Sequence, residues 1–297
     1  MSTRVAIRIG YHKCASTHLG LQVLPKHPQI RHLGKPYSAD DPVREVVESI
    51  IDARPFDLRR CRDLAAAHVM PSGGRAVVSI SDGRLAMRSC TAASDVAERL
   101  QAVFGGGRIL ITIRRHVDFV TSLYVQDIGT GRTVAGIDDW MAANWDTGLT
   151  LRSYAAFAPV IARYRHTFGQ DRVWVSLLEQ FTDDMPSVAA GLGAFLGVDS
   201  ATLLTLLMAA PRNPRMSILQ ARLGGKKRRG YAVAKAVARR LPDPVLALAA
   251  RLTGHHRRFE PRLGSHWRRT LAALAEEDCA ALKEEFDLPV DRYRYRP

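Results

Sequence analysis

Short apolar runs of β-branched and small residues alternate along this chain with longer stretches in which apolar positions recur at helical spacing. The first run, 5–9, is interrupted by Arg8 and closed by Gly10, and a helical pattern begins near Ser16. A second run spans 76–80, between Gly73-Gly74 and Asp82-Gly83. A third spans 108–113, after Gly105-Gly106-Gly107, and a fourth spans 172–177, after Gly169. Helical patterns at 42–51, 58–69, 94–104, 117–128 and 151–168 lie between them. Strands alternating with helices of this length predict βαβ units. The expected architecture is α/β, three layers around a mostly parallel central sheet.

Beyond residue 177 the alternation stops. A helix at 185–196 ends at Gly197, and the remaining patterns, at 216–223, 231–241, 245–252 and 267–286, are all helical. Gly224-Gly225 and Pro242-Asp243-Pro244 cut them apart. No long polar linker precedes this part, so residues 201–297 read as a helical extension of the core at 1–200, within one domain.

Charge sharpens that division. Of 297 residues, 43 are Lys or Arg and 29 Asp or Glu, a net charge of +14 that at first points to a polyanionic partner. Between Ala201 and Thr270, however, sixteen basic residues face only Asp243 and Glu260, and the rest of the chain is balanced. The excess is therefore a property of one segment. No aromatics interleave the basic run, which argues against a single-stranded nucleic-acid surface. Four cysteines, Cys14, Cys61, Cys90 and Cys279, show neither CxxC nor zinc-finger spacing. With no signal-peptide core and no apolar span of membrane length, the chain reads as a reduced, cytosolic protein.

The turn after the first predicted strand carries the first chemistry. Gly10-Tyr11-His12-Lys13-Cys14-Ala15-Ser16-Thr17-His18 combines small residues, a lysine and two hydroxyls at the start of a helix. Backbone N–H groups and the helix N-terminus there suit a phosphate. A Walker A loop would place its lysine after a second glycine and directly before the hydroxyl; here Lys13 comes first. Cys14, beside Lys13 at a helix N-terminus, is expected to have a depressed pKa and to be open to oxidation and alkylation. The third strand ends in Arg114, and Ser122 follows eight residues later, a cation and a hydroxyl that can meet one anion if the intervening turn doubles back.

The order aromatic-x-Lys-x-small-Ser-Thr, followed about 100 residues on by strand-Arg-x7-Ser, resembles the bacterial sulfotransferases that use 3′-phosphoadenosine 5′-phosphosulfate (PAPS). Glu179 after the fourth strand, Phe195-Leu196-Gly197 at a helix end, and the tail Tyr293-Arg294-Tyr295 extend the resemblance. The turn Arg115-His116 departs from the family's usual Asp/Asn-Pro. The resemblance implies a P-loop-like sulfotransferase fold and sulfuryl transfer from PAPS, leaving adenosine 3′,5′-bisphosphate (PAP), to a hydroxyl or amine of a small-molecule, glycan or lipid acceptor. It makes Lys13 the cation at the leaving bridging oxygen. His12, Cys14, Ala15, Ser16 and Thr17 would line the 5′-phosphate and His18 the adenine. Arg114 and Ser122 would hold the 3′-phosphate, with Arg212 and Arg215 in a covering segment. No metal is implied.

A general base is harder to find, because Gly34-Lys35-Pro36-Tyr37 stands where relatives carry a glutamate. Asp82, at the carboxyl end of the second predicted strand, is preferred by position, with His32 and the Asp40-Asp41 pair as alternatives. The basic stretch 226–258 reads as packing on the core, as cover for an anionic acceptor, or as a peripheral membrane contact. Rival readings are a P-loop NTP-dependent kinase, with Asp82 as a Walker B acid, and a non-catalytic basic module that binds membrane or nucleic acid.

Overall fold

The computed structural model describes residues 4–15, 17–35, 37–52, 54–70, 73–91, 94–147, 150–209 and 259–295. Five strands form one sheet: β1 (Arg4–Arg8), β2 (Ile30–His32), β3 (Val77–Ser81), β4 (Arg108–Ile113) and β5 (Val173–Leu177). Their spatial order is β2-β3-β1-β4-β5, with every pairing parallel. The expected α/β class is observed.

Strand alternation divides the sheet between two cores. Val5, Ile7, Val78, Ile80, Ile109, Ile111 and Ile113 face one side, packed with Pro42–Asp52, Val96–Phe104, His116–Thr130, Ala158–Phe168 and the C-terminal helix Ser265–Glu284. Ala6, Val77 and Leu110 face the other, packed with Leu19, Val23, Leu24 and the helices Met185–Leu196 and Ser200–Ala209. Both faces are covered, which is why β3 is buried at all five positions, including Ser79 and Ser81, whose hydroxyls bond His32 and Arg8. Each fully buried Val, Leu or Ile contributes about 1.5–3 kcal/mol, so the paired cores define the sheet's register.

The differences from the expected elements have local causes. β2 was not foreseen: three residues, Ile30, Arg31 and His32, make an edge strand too short for a periodic signal. The helical pattern at 151–168 is two helices, Leu151–Ala155 and Ala158–Phe168, the second starting with Pro159 in its first turn, where the missing N–H is harmless. The pattern at 58–69 is an α-helix, Leu58–Leu64, continued as a π-helical Ala65–Val69. The helix after the first turn is short: a π-helical His18–Val23 runs into a 3-10 turn, Leu24–Lys26, containing Pro25. Gly83–Arg88, Ile137–Asn144 and Gln180–Asp183 are further short helices that the sequence pattern passed over. The helices expected at 216–223, 231–241 and 245–252 lie outside the described residues.

Candidate active site

Parallel topology brings the carboxyl ends of β3, β1 and β4 side by side, and the chemistry gathers there. From β1 the chain enters the turn through Gly10, whose φ is +53°, and passes through two further left-handed residues, Lys13 (+64°) and Ala15 (+52°). Left-handed non-glycine residues are uncommon and concentrate at functional turns. Tyr11 and Cys14 are fully buried, whereas Lys13 and Thr17 are exposed. The turn is thus pinned from below by alternate side chains and opens its lysine outward. Tyr11 lies in an aromatic nest, stacked on Tyr154 at 5.2 Å and edge-on to Phe119 and Phe157.

Lys13 and Arg114 sit within electrostatic reach of one another. The Lys13 ammonium is held below its ordinary pKa, first by desolvation and then by the positive charge of Arg114. The two cations follow the carboxyl ends of adjacent strands, and an anion between them would offset their repulsion. Thr17 precedes the π-helical turn, yet its hydroxyl makes no capping bond to it. His18 begins that turn, half-buried, with its pKa lowered by desolvation. Ser122 lies in the second turn of His116–Thr130, partly buried, and the helix starts two residues after Arg114. Ser16, Arg212, Arg215 and the stretch 226–258 lie outside the described residues.

Cys14 requires correction. Its thiol is fully buried among Ile9, Tyr11 and the other apolar residues of the larger core, and its N–H donates to the Tyr11 carbonyl at 3.3 Å. Burial raises its pKa well above the usual thiol value, outweighing the lowering by Arg114, Arg8 and Lys13. Proximity to Lys13 in sequence suggested a reactive thiolate; the left-handed turn instead directs the side chain inward. Only its backbone can face a ligand.

The two carboxyl-end candidates for a base are already engaged. Asp82 caps the helix Gly83–Arg88, accepting from the Arg84 N–H at 2.9 Å, and its carboxylate also pairs with Arg84 Nη2 at 2.8 Å and Lys35 Nζ at 3.0 Å. Burial alone would raise its pKa, but the bonds from Arg84 and Lys35 bring it below the ordinary carboxylate value. The Lys35 that occupies the expected glutamate region is therefore a partner of Asp82. His32 Nδ1 lies 2.6 Å from Ser79 Oγ, and its Nε2 is closed off from solvent beside Gly34. Burial, and next the charge of Arg8, lower its pKa to about 4.

Several participants were not singled out by sequence. Arg8 lies buried beneath the turn, Nε donating to Ser81 Oγ at 2.8 Å, with its guanidinium against Gly10 and Gly20. Burial lowers its pKa to about 10, with Asp82 opposing. Its signal was the charged residue interrupting an otherwise apolar strand. His12 meets Tyr154, 142 positions away, through two contacts with one phenolic oxygen. Tyr154 gave no signal, since only packing brings its helix to the turn. Glu179 and Tyr295, noted separately, prove to be joined: Tyr295 Oη donates to Glu179 Oε2 at 2.8 Å, while the Arg115 N–H donates to Oε1 at 3.3 Å. The chain's tail thereby braces the turn that carries Arg114. Among the described residues, no group of three or more His, Cys, Asp or Glu is placed to hold a metal ion, and no helix is long and apolar enough to cross a membrane.

No protein-family model matches the chain, and no curated protein matches it. Among solved structures, a sulfotransferase from Alicyclobacillus acidocaldarius is similar over 99% of this chain and 99% of its own, with a TM-score of 0.61 and 17% identity. At that identity the likeness shows the fold: a mostly parallel five-stranded sheet with flanking helices and a helical C-terminal segment, as in that sulfotransferase.

Proposed function

We propose that this protein is a PAPS-dependent sulfotransferase, moving a sulfuryl group to a hydroxyl or amine of a small-molecule, glycan or lipid acceptor. The observation that carries the reading is the juxtaposition of Lys13 and Arg114 at the carboxyl ends of neighbouring strands, each belonging to one half of the two-part motif. The likeness in fold to a bacterial sulfotransferase supports it independently. In this reading the loop amides, Thr17 and Ser16 receive the 5′-phosphate, and Arg114 with Ser122 receives the 3′-phosphate. Lys13 meets the bridging oxygen as negative charge develops there. Such catalysis is mainly positioning and charge neutralisation, as in phosphoryl transfer. Arg212, Arg215 and the basic segment are read as cover over the nucleotide and acceptor.

Asp82 bears on the kinase alternative. A Walker B acid needs a carboxylate available to Mg²⁺, and this one is committed to Lys35, Arg84 and a helix cap. Calorimetry separates the readings: PAP should bind tightly without divalent metal, and ATP with Mg²⁺ weakly. The opposite pattern would replace sulfotransfer with an NTP-dependent activity, and binding of neither would favour a non-catalytic module.

A further inference from the structure

We propose that Arg4, Arg108 and Arg172 form a second anion site at the amino ends of β1, β4 and β5, and that it takes a soluble molecule bearing a phosphate or sulfate group. The inference stands apart from the sulfuryl-transfer reading, because this site lies at the other end of the sheet. Lys13 and Arg114 follow the carboxyl ends of β1 and β4. With β4 six residues long, its two ends are about 20 Å apart, so an ion held at one end does not touch the cations at the other.

Strand register builds the site. Arg4 opens β1 and Arg108 opens β4, neighbours in the sheet, with Ala6 paired to Arg108. Arg4 stands two positions from Ala6 and Arg108 two from Leu110, and Ala6 and Leu110 both face the smaller core. Alternation therefore puts both arginines on that face. There they meet the last turn of the helix Met185–Leu196. Arg108 Nη1 donates to the Phe195 carbonyl, its guanidinium lies over the Phe195 ring at 5.5 Å, and a Cβ on Gly197 would overlap the Arg4 guanidinium. Arg172 closes the turn before β5, and a Cβ on Gly106, two residues before Arg108, would come within 3.0 Å of its Nη1. Three guanidinium groups from three neighbouring strand starts thus share one edge of the sheet.

Capping of the helix end accounts for part of this cluster and leaves positive charge over. A helix C-terminus offers about half a negative charge, and two arginines already share it. Among the described residues, no ion pair involves Arg4, Arg108 or Arg172. The acids nearest in sequence do not neutralise them: Asp199 accepts from the Thr202 N–H at 2.6 Å, and Asp171 makes no pair with the Arg172 beside it. Desolvation first, then the charges of Arg4 and Arg172, lower the Arg108 pKa. The three cations therefore repel one another without a counter-charge, and Arg108 is held in place by Phe195 before any ligand arrives. Guanidinium forks match the oxygens of a phosphate or sulfate group two at a time, which a monovalent ion cannot reproduce. Arg4 and Arg172 are exposed, so the anion enters from solvent.

The test uses the full-length protein labelled with nitrogen-15 arginine. Its side-chain Nε–H signals are followed by NMR as sodium pyrophosphate or sodium sulfate is added at constant ionic strength, with sodium chloride as the control. The Arg108 signal, assigned with Arg108→Lys, should shift saturably with pyrophosphate and with sulfate and stay in place with chloride. Arg172→Gln, at an exposed position, should weaken pyrophosphate binding about tenfold with the unfolding midpoint nearly unchanged, and Arg4→Gln should weaken it to a similar extent. Lys13→Ala should leave the Arg108 response as in the unaltered protein, which separates this site from pyrophosphate reaching the first turn. A failure of PAP to bind would remove the sulfotransfer reading and leave this result standing. No saturable Arg108 shift, or an equal one with chloride, would overturn the proposal and leave the arginines as caps of a helix end. Capture by phosphatidic acid vesicles without any response to pyrophosphate would overturn it in favour of a membrane surface.

Discussion

His116 Nε2 lies 2.9 Å from Asp278 Oδ2, both side chains fully enclosed, at a junction where three helices meet. Asp278, on the C-terminal helix, also accepts from the Phe157 N–H at 3.1 Å and the Ala158 N–H at 2.8 Å, satisfying the start of the helix Ala158–Phe168. His116 opens the helix that follows Arg114. The last helix of the chain is therefore anchored to the helix that follows Arg114. Removing one partner of a buried pair leaves the others unpaired, which costs about 3–5 kcal/mol. Asp278→Ala should lose about that much in urea denaturation, and Asp278→Asn, which keeps an acceptor, less. A loss under about 1 kcal/mol for Asp278→Ala would show that the junction is not structural.

Lys13→Ala should leave the denaturation midpoint nearly unchanged, because the side chain is exposed and packs on nothing in either core. Its expected effect is on turnover, a loss of about 100-fold or more, the scale of losing one group that stabilises developing charge. PAP release from PAPS is the measurement, and near-normal turnover would contradict the role given to Lys13.

Cys14 should resist a water-soluble thiol reagent in the native protein and react once denaturant opens the core. Its burial and raised pKa both disfavour the thiolate. Mass mapping of the alkylated sites at pH 7.5 decides the matter, with rapid native labelling of Cys14 the contrary result.

Stability should fall in two steps as pH drops. The His32 pKa is lowered from 6.5 to about 4, so between those values the unfolded chain binds a proton that the folded one refuses, and stability is lost on the order of 2–3 kcal/mol. His12 and His18, also lowered, act in the same direction over the upper part of that window. Asp82 is depressed instead, so its ion pairs contribute stability above about pH 4, and that contribution disappears below it. Urea midpoints at pH 7.5, 5 and 3 resolve the steps. His32→Gln should flatten the first and Asp82→Asn the second; an unaltered slope in either variant would contradict the assignment.

Gly10→Ala should destabilise by about 1–2 kcal/mol from its left-handed φ alone, and more because the new Cβ would come within 2.8 Å of Arg8 Nη1. A neutral result would mean that the guanidinium beneath the turn can move aside.

Chain-local features were legible in the sequence: the apolar runs that become β1, β3, β4 and β5, and the glycine-closed turns between them. Each of these depends on neighbours within a few residues, and backbone sterics and periodicity report such neighbours. What tertiary structure alone decided is which groups meet. Cys14 looked reactive beside Lys13 until the left-handed turn buried it, and Asp82 looked available until Lys35 and Arg84 closed on it. Tyr154 reaches His12 across 142 residues and Asp278 reaches His116 across 162. Neither pairing leaves a local trace, because a hydrogen bond depends on position and direction in space, which the packing of helices on a parallel sheet determines.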